Sequence, residues 1–167
     1  MKYGIVIFPS RDVQDKVNNL RKRYDSHYTL IDPHITLKEA FEMDNIEDSL
    51  GYIEEITTNF PPFSLRINNI KSFHPITPVL YFSFEDCPAI YNLHNALNSD
   101  ILAHTRKHSF TPHITFAQDL PSQEIHDIYG RLSLKGYDTE FTVDSIHLVL
   151  LDENGLWHNY KSFLLRG

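Results

Sequence analysis

The tetrapeptide Pro-His-Ile-Thr occurs twice in the chain, at Pro33 to Thr36 and again at Pro112 to Thr115, an offset of 79 residues. A match this short carries little alone, and its surroundings give it weight. An amphipathic segment precedes each copy, Ser10 to Tyr24 and then Ala89 to Ala103. Val13, Val17 and Leu20 in the first, and Ile90, Leu93, Leu97 and Ile101 in the second, fall at helical spacing. Ser10 and Asp86 are suited to cap the two starts. A further helical pattern follows each copy, from about Ile46 to Asn59 behind Asp44 and Asn45, and from Pro121 or Ser122 to about Leu132. Two strand-like stretches then close each half: Phe63 to Phe73 with Val79 to Phe84, and Glu140 to Leu151 with Leu156 to Leu165. Asp152-Glu153-Asn154-Gly155 reads as the turn of the last hairpin.

The order helix, Pro-His strand, helix, strand, strand thus occurs twice, and Tyr3 to Phe8 adds one early strand. The expected fold is α+β, with two pseudo-symmetric lobes of mostly antiparallel sheet, helices outside and a central cleft. Residues 1–167 are read as a single domain with internal repeats at roughly 10–85 and 86–167. A pseudo-twofold axis through such a fold would bring the two histidines together.

Side chains alternate faces along a strand. His34 and Thr36 should therefore point one way and Ile35 and Leu37 the other, and His113 and Thr115 should oppose Ile114 and Phe116. The apolar pairs anchor each strand, which leaves an imidazole and a hydroxyl facing the cleft. Phosphodiester cleavage needs one proton removed from the attacking oxygen and one given to the leaving oxygen. Imidazole titrates near pH 6.5, so two histidines can supply both. Threonine hydroxyls can donate to the non-bridging oxygens as charge builds on them. This scheme calls for no metal and no cofactor.

Charge and composition narrow the substrate. The net charge of −7 speaks against a protein that wraps a long duplex. If the chain handles RNA, a terminus or a small nucleotide is expected. Arg21-Lys22-Arg23 falls where a helix should end and is read as complementing its dipole. The single cysteine, Cys87, cannot form an internal disulfide and is read as a bystander in a reducing compartment. No apolar run approaches the roughly 20 residues of a membrane span, and a cytoplasmic location without membrane attachment is expected.

The residues His34-Ile35-Thr36-Leu37 and His113-Ile114-Thr115-Phe116 carry a family resemblance. The sequence resembles the 2H phosphoesterase superfamily, which includes RNA 2′,5′-ligase-like proteins and cyclic phosphodiesterases. Its hallmark is a pair of His-x-Thr/Ser-x motifs with a hydrophobic last position. Length and the stretch Pro-His-Ile-Thr-Leu-Lys-Glu look most like the bacterial YjcG-type phosphoesterases. The resemblance implies a two-lobed fold and action on a 2′,3′-cyclic or related phosphodiester. It further implies that His34 is the proton donor and His113 the acceptor, with Thr36 and Thr115 holding the phosphate. The competing reading is a binding module that holds a nucleotide or phosphometabolite in the same cleft without turnover.

Other candidates are weaker. Tyr3, Phe8, Tyr28, Phe73 and Trp157 could stack on a base, although most aromatics must be core. His104 and His108 are four apart, but the pair lacks the glutamate of His-Glu-x-x-His and is not read as a metal site. His27, His74, His94, His126, His147 and His158 are read as surface or structural residues. Ser133, Ser145 and Ser162 lack a nucleophile elbow.

Overall fold

Two hydrophobic periods run through the chain, and they sort into strands and helices. The structure is a computed structural model that describes residues 1–103 and 109–167. The elements are β1 (Lys2–Ile7), α1 (Arg11–Tyr24), β2 (Ile35–Phe41), α2 (Ile46–Thr58), β3 (Phe63–Ser72) and β4 (Leu80–Phe84). They continue as α3 (Pro88–Leu97), β5 (Ile114–Ala117), α4 (Ser122–Leu132), β6 (Thr139–Val143), β7 (Ser145–Leu151) and β8 (Trp157–Leu164). The reading for His104 and His108 lies outside the described residues. No helix among the described residues is long and apolar enough to cross a membrane.

The strands form two four-stranded antiparallel sheets, ordered β2-β1-β7-β8 and β5-β4-β3-β6. Each motif strand is an edge strand, paired with β1 in one sheet and β4 in the other. The α+β architecture of two mostly antiparallel sheets with helices outside is as expected. The sheets do not follow the sequence halves, because β7 and β8 complete the sheet of β2 while β3 joins the sheet of β5. The helices cross over too: α1 packs on β5 and α3 packs on β2.

Three local expectations are corrected. The stretch from Glu140 to Leu151 is not one strand but two, since β6 pairs with β3 and β7 pairs with β1. The chain changes sheets at Asp144, whose carbonyl accepts a hydrogen bond from the Leu165 N–H at 2.8 Å. The helix that precedes the second motif stops at Leu97 rather than Ala103. Asn98 leaves the helical backbone with a φ of −121°, and a separate 3-10 turn, Asp100–Leu102, starts at the left-handed Asp100 (φ 52°), with Leu102 in the core and Ile101 59% exposed. Finally, Cys87 and not Asp86 sits at the N-cap of α3. Ser10 does cap α1 by position, but its hydroxyl turns to the Asp12 carboxylate at 2.7 Å.

Candidate active site

Alternation along β2 and β5 places the motif residues as the pattern requires. Ile35, Leu37, Ile114 and Phe116 are buried in the core, while His34, Thr36, His113 and Thr115 are only half-buried on the opposite face. The two copies share a further feature. Thr36 pairs with Val6 and Lys38 with Ile5, so the ladder slips at Leu37; Thr115 pairs with Tyr81 and Ala117 with Leu80, so it slips at Phe116. Each edge strand is therefore irregular just beyond its threonine, as bulges beside functional sites often are.

Both imidazoles are fixed by the same local contact. The Nδ1 atom of His34 lies 2.8 Å from the Asp32 carbonyl, and that of His113 lies 2.6 Å from the Thr111 carbonyl. A carbonyl can only accept, so each Nδ1 carries the hydrogen and each Nε2 is left for chemistry. Pro33 and Pro112, one before each histidine, hold these extended turns in place.

Desolvation disfavours the protonated form of both rings. Desolvation pulls His34 down to about 4, with the Asp32 carbonyl opposing and the positive charges of Arg21 and His113 adding to the fall. Desolvation also lowers His113, against the Thr111 carbonyl and the carboxylate of Glu39, which both raise it. A proton on His113 disfavours one on His34, which places the two rings in one electrostatic neighbourhood.

Their supports differ. The loop before His34 is wired to Arg21, which is 2% exposed rather than a solvated helix end. It extends the buried stripe Val13, Val17, Arg21 of α1, a spacing of four residues that signals burial in the sequence. Its guanidinium donates to the Ile31 carbonyl at 2.6 Å, the His27 carbonyl at 3.3 Å and the Asp25 carboxylate at 3.2 Å. Asp25 in turn accepts from the Gln118 amide at 2.7 Å, directly after β5. This buried pair thus ties the approach to His34 to the end of the second motif strand. His113 instead stands edge-on to the rings of Phe73 and Tyr81, at centroid distances of 5.1 and 5.4 Å, and those two rings stack at 4.2 Å.

Two cavities open on the motif face. One of about 340 Å³ is lined by His113, Thr36, Phe73 and Phe110, and one of about 230 Å³ by His34, Thr36, Val149 and Trp157. Thr36 and Glu39 line both. Thr115 lines neither, although it lies on the same face of its strand as His113. Of the remaining aromatics, Tyr3 is core, Phe8 packs on His147 and Tyr28 lies beside Arg21. Buried Lys38 bridges β2 to Asn98 and the Leu102 carbonyl, which the sequence did not reveal.

Two edge strands with matched His-x-Thr faces, set on paired antiparallel sheets, define the class: a two-lobed α+β phosphoesterase fold. The family model described as the 2'-5' RNA ligase superfamily matches residues 9–155. The chain belongs to that superfamily, the 2H phosphoesterases. It is 43% identical over 100% of its length to a protein of Geobacillus sp. (strain WCH70) named "Putative phosphoesterase GWCH70_0799", covering 98% of that protein. A protein of Oceanobacillus iheyensis named "Putative phosphoesterase OB1230" is 42% identical over 99% of this chain and 98% of its own. Among solved structures, TT0787 of Thermus thermophilus superposes with a TM-score of 0.72 at 16% identity, covering 100% of this chain and 99% of that one. E. coli LigT complexed with 3'-AMP gives 0.72 at 12% identity over 99% and 98%. These two likenesses concern the fold.

Proposed function

We propose that the protein hydrolyses a 2′,3′-cyclic or related phosphodiester of RNA ends or small nucleotides without a metal. The observation that carries this reading is the pair of imidazoles, each with Nδ1 held by a carbonyl and Nε2 left for the cleft. One neutral Nε2 takes the proton of the attacking water. The other, protonated, gives its proton to the ribose oxygen as the P–O bond breaks, and a phosphomonoester results. Thr36 and Thr115 donate to the non-bridging oxygens. Desolvation lowers both rings, and the negative charge of the bound diester opposes it and lets one arrive protonated. That the LigT fold is known with 3'-AMP bound supports a small nucleotide as ligand here. A cytoplasmic setting fits the lone Cys87.

The resemblance makes His34 the donor and His113 the acceptor. A second reading reverses them, because Arg21 opposes a proton on His34 while Glu39 favours one on His113. A p-nitrophenyl phosphodiester decides, since its leaving group needs no proton: the variant lacking the acid recovers on it, and the variant lacking the base does not.

The test of the function itself is turnover of a panel of 2′,3′-cyclic nucleotides in EDTA. Wild type should be active, and His34→Ala and His113→Ala should each lose about 10²–10⁴-fold in kcat. Equal, negligible turnover by all three with ligand binding retained would make the cleft a binding site only.

A further inference from the structure

The strand that carries the first motif changes phase just after Thr36. Strict alternation would send Lys38 to the cleft face beside His34 and Thr36 and would turn Glu39 inward. The slip at Leu37 reverses this. Thr36 pairs with Val6 and Lys38 with Ile5, and it is the exposed Glu39 that borders both cavities together with Thr36. Lys38 is buried at the edge of the second cavity, with its amine donating to the Asn98 side-chain oxygen at 3.2 Å and to the Leu102 carbonyl. Asn98 also holds the irregular strand itself, since its amide donates to the Leu37 carbonyl at 3.1 Å. The bulge is thus held by side-chain contacts, and its effect is to bring a carboxylate to the cleft.

We infer that Glu39 is a charge-selecting residue: it lets the cleft hold a singly charged phosphodiester and weakens its grip on the doubly charged phosphomonoester that hydrolysis leaves. The inference rests on the proposed reaction and on the placing of the phosphate at Thr36. Water adds across one P–O bond, so a diester with one negative charge becomes a monoester whose second hydroxyl ionises near about pH 6. The substrate meets the Glu39 carboxylate with one charge, and the product meets it with close to two. The charge of Glu39 is felt within the site, since it raises His113 against the desolvation that lowers that ring. A nucleoside monophosphate still enters the cleft; it is held less tightly than the ester it came from.

The regular strand shows what the bulge avoids. It would have set a lysine ammonium where Glu39 stands, and a cation gains most from the species with more negative charge. Such a cleft would bind its product more tightly than its substrate. With Glu39 in that place the order is reversed, and release is favoured once the second charge has formed. The carboxylate is exposed, so salt screens it and the preference is modest.

Two ligands isolate the second charge: 2′-deoxyadenosine 3′-monophosphate and its 3′-methyl phosphate diester, which differ by one methyl group. Neither has the 2′-hydroxyl needed to cyclise. Their dissociation constants for the full-length protein are measured by calorimetry at about pH 7.5 and low salt. Wild type should bind the diester at least about threefold more tightly, the scale of one partly screened like-charge pair. Glu39→Gln should lose that preference and Glu39→Asp should keep most of it, which a folding defect would not produce. At about 1 M salt the wild-type preference should shrink towards that of Glu39→Gln. Equal binding of the two ligands by wild type, tighter binding of the monoester, binding of neither, or an unchanged ratio in Glu39→Gln would overturn the inference. If the preference follows Glu39 while no cyclic phosphate is turned over, the catalytic reading fails and the charge selection stands.

Discussion

His34 and His113 carry the same motif and the same Nδ1 contact, yet they are held by different means. A buried ion pair and its hydrogen bonds organise the approach to His34, whereas His113 leans on two stacked rings. The first support is directional and charged; the second is apolar and shape-based. A duplicated motif therefore fixes what the two groups are, while non-duplicated surroundings fix how readily each holds a proton. Arg21 lowers His34, and no equivalent cation acts on His113 among the causes of its shift.

The largest test of that contrast is Arg21→Ala. Removing one partner of a buried pair typically costs about 3–5 kcal/mol, because the other charge is left unpaired. Urea unfolding should show a loss of that size. NMR titration of any folded fraction should find the His34 pKa raised, since the cation is gone and Asp25 remains. A His34 pKa unchanged in this variant would break the comparison.

Acid stability comes next. A histidine whose folded pKa lies below its unfolded value of about 6.5 makes the unfolded state bind more protons as pH falls. Stability should therefore be full above pH 6.5 and decline towards pH 4, by at most ~3 kcal/mol from His34 at the linkage constant of ~1.4 kcal/mol per pH unit. His34→Asn should flatten that slope more than His113→Asn does. The reverse ranking would show that Arg21 does not lower His34 beyond what desolvation does to His113.

Smaller effects probe the link and the rings. Gln118→Ala removes one hydrogen bond to Asp25 and should cost about 1–2 kcal/mol, as bonds to charged groups do. Phe73→Leu should open the wall beside His113 and raise its pKa slightly towards the ordinary imidazole range, with His34 unmoved, read by the same NMR titration. If His34 follows, the two supports are coupled and not separate.

The motif faces are legible in the sequence because strand alternation is a local rule. Ile35, Leu37, Ile114 and Phe116 are core residues for the reason their spacing gives. Helix positions follow from apolar periodicity for the same reason. Sheet membership does not, because pairing is decided by distant residues: nothing between Glu140 and Leu151, neither glycine nor proline, marks the change of sheet at Asp144. Arg21 is easily taken for a surface charge because its partners are loop carbonyls, whose positions exist only once residues 25–31 have folded. Its spacing from Val13 and Val17 is the available clue. Glu39 and Lys38 stay hidden because they follow the bulge, where alternation no longer predicts a face.

The exchange of strands between the sheets has a consequence for the order of events during synthesis. β1 is made before every other strand of the two sheets, yet its second edge is filled only by Ser145–Leu151. β5 likewise needs α1 behind it, and β2 needs α3. A ribosome that has released the first motif has therefore released a strand with its neighbour β1 but without the rest of its sheet or its backing helix. The two motif strands are both backed only when most of the chain has emerged, so the first waits through much of synthesis for contacts that the second half supplies.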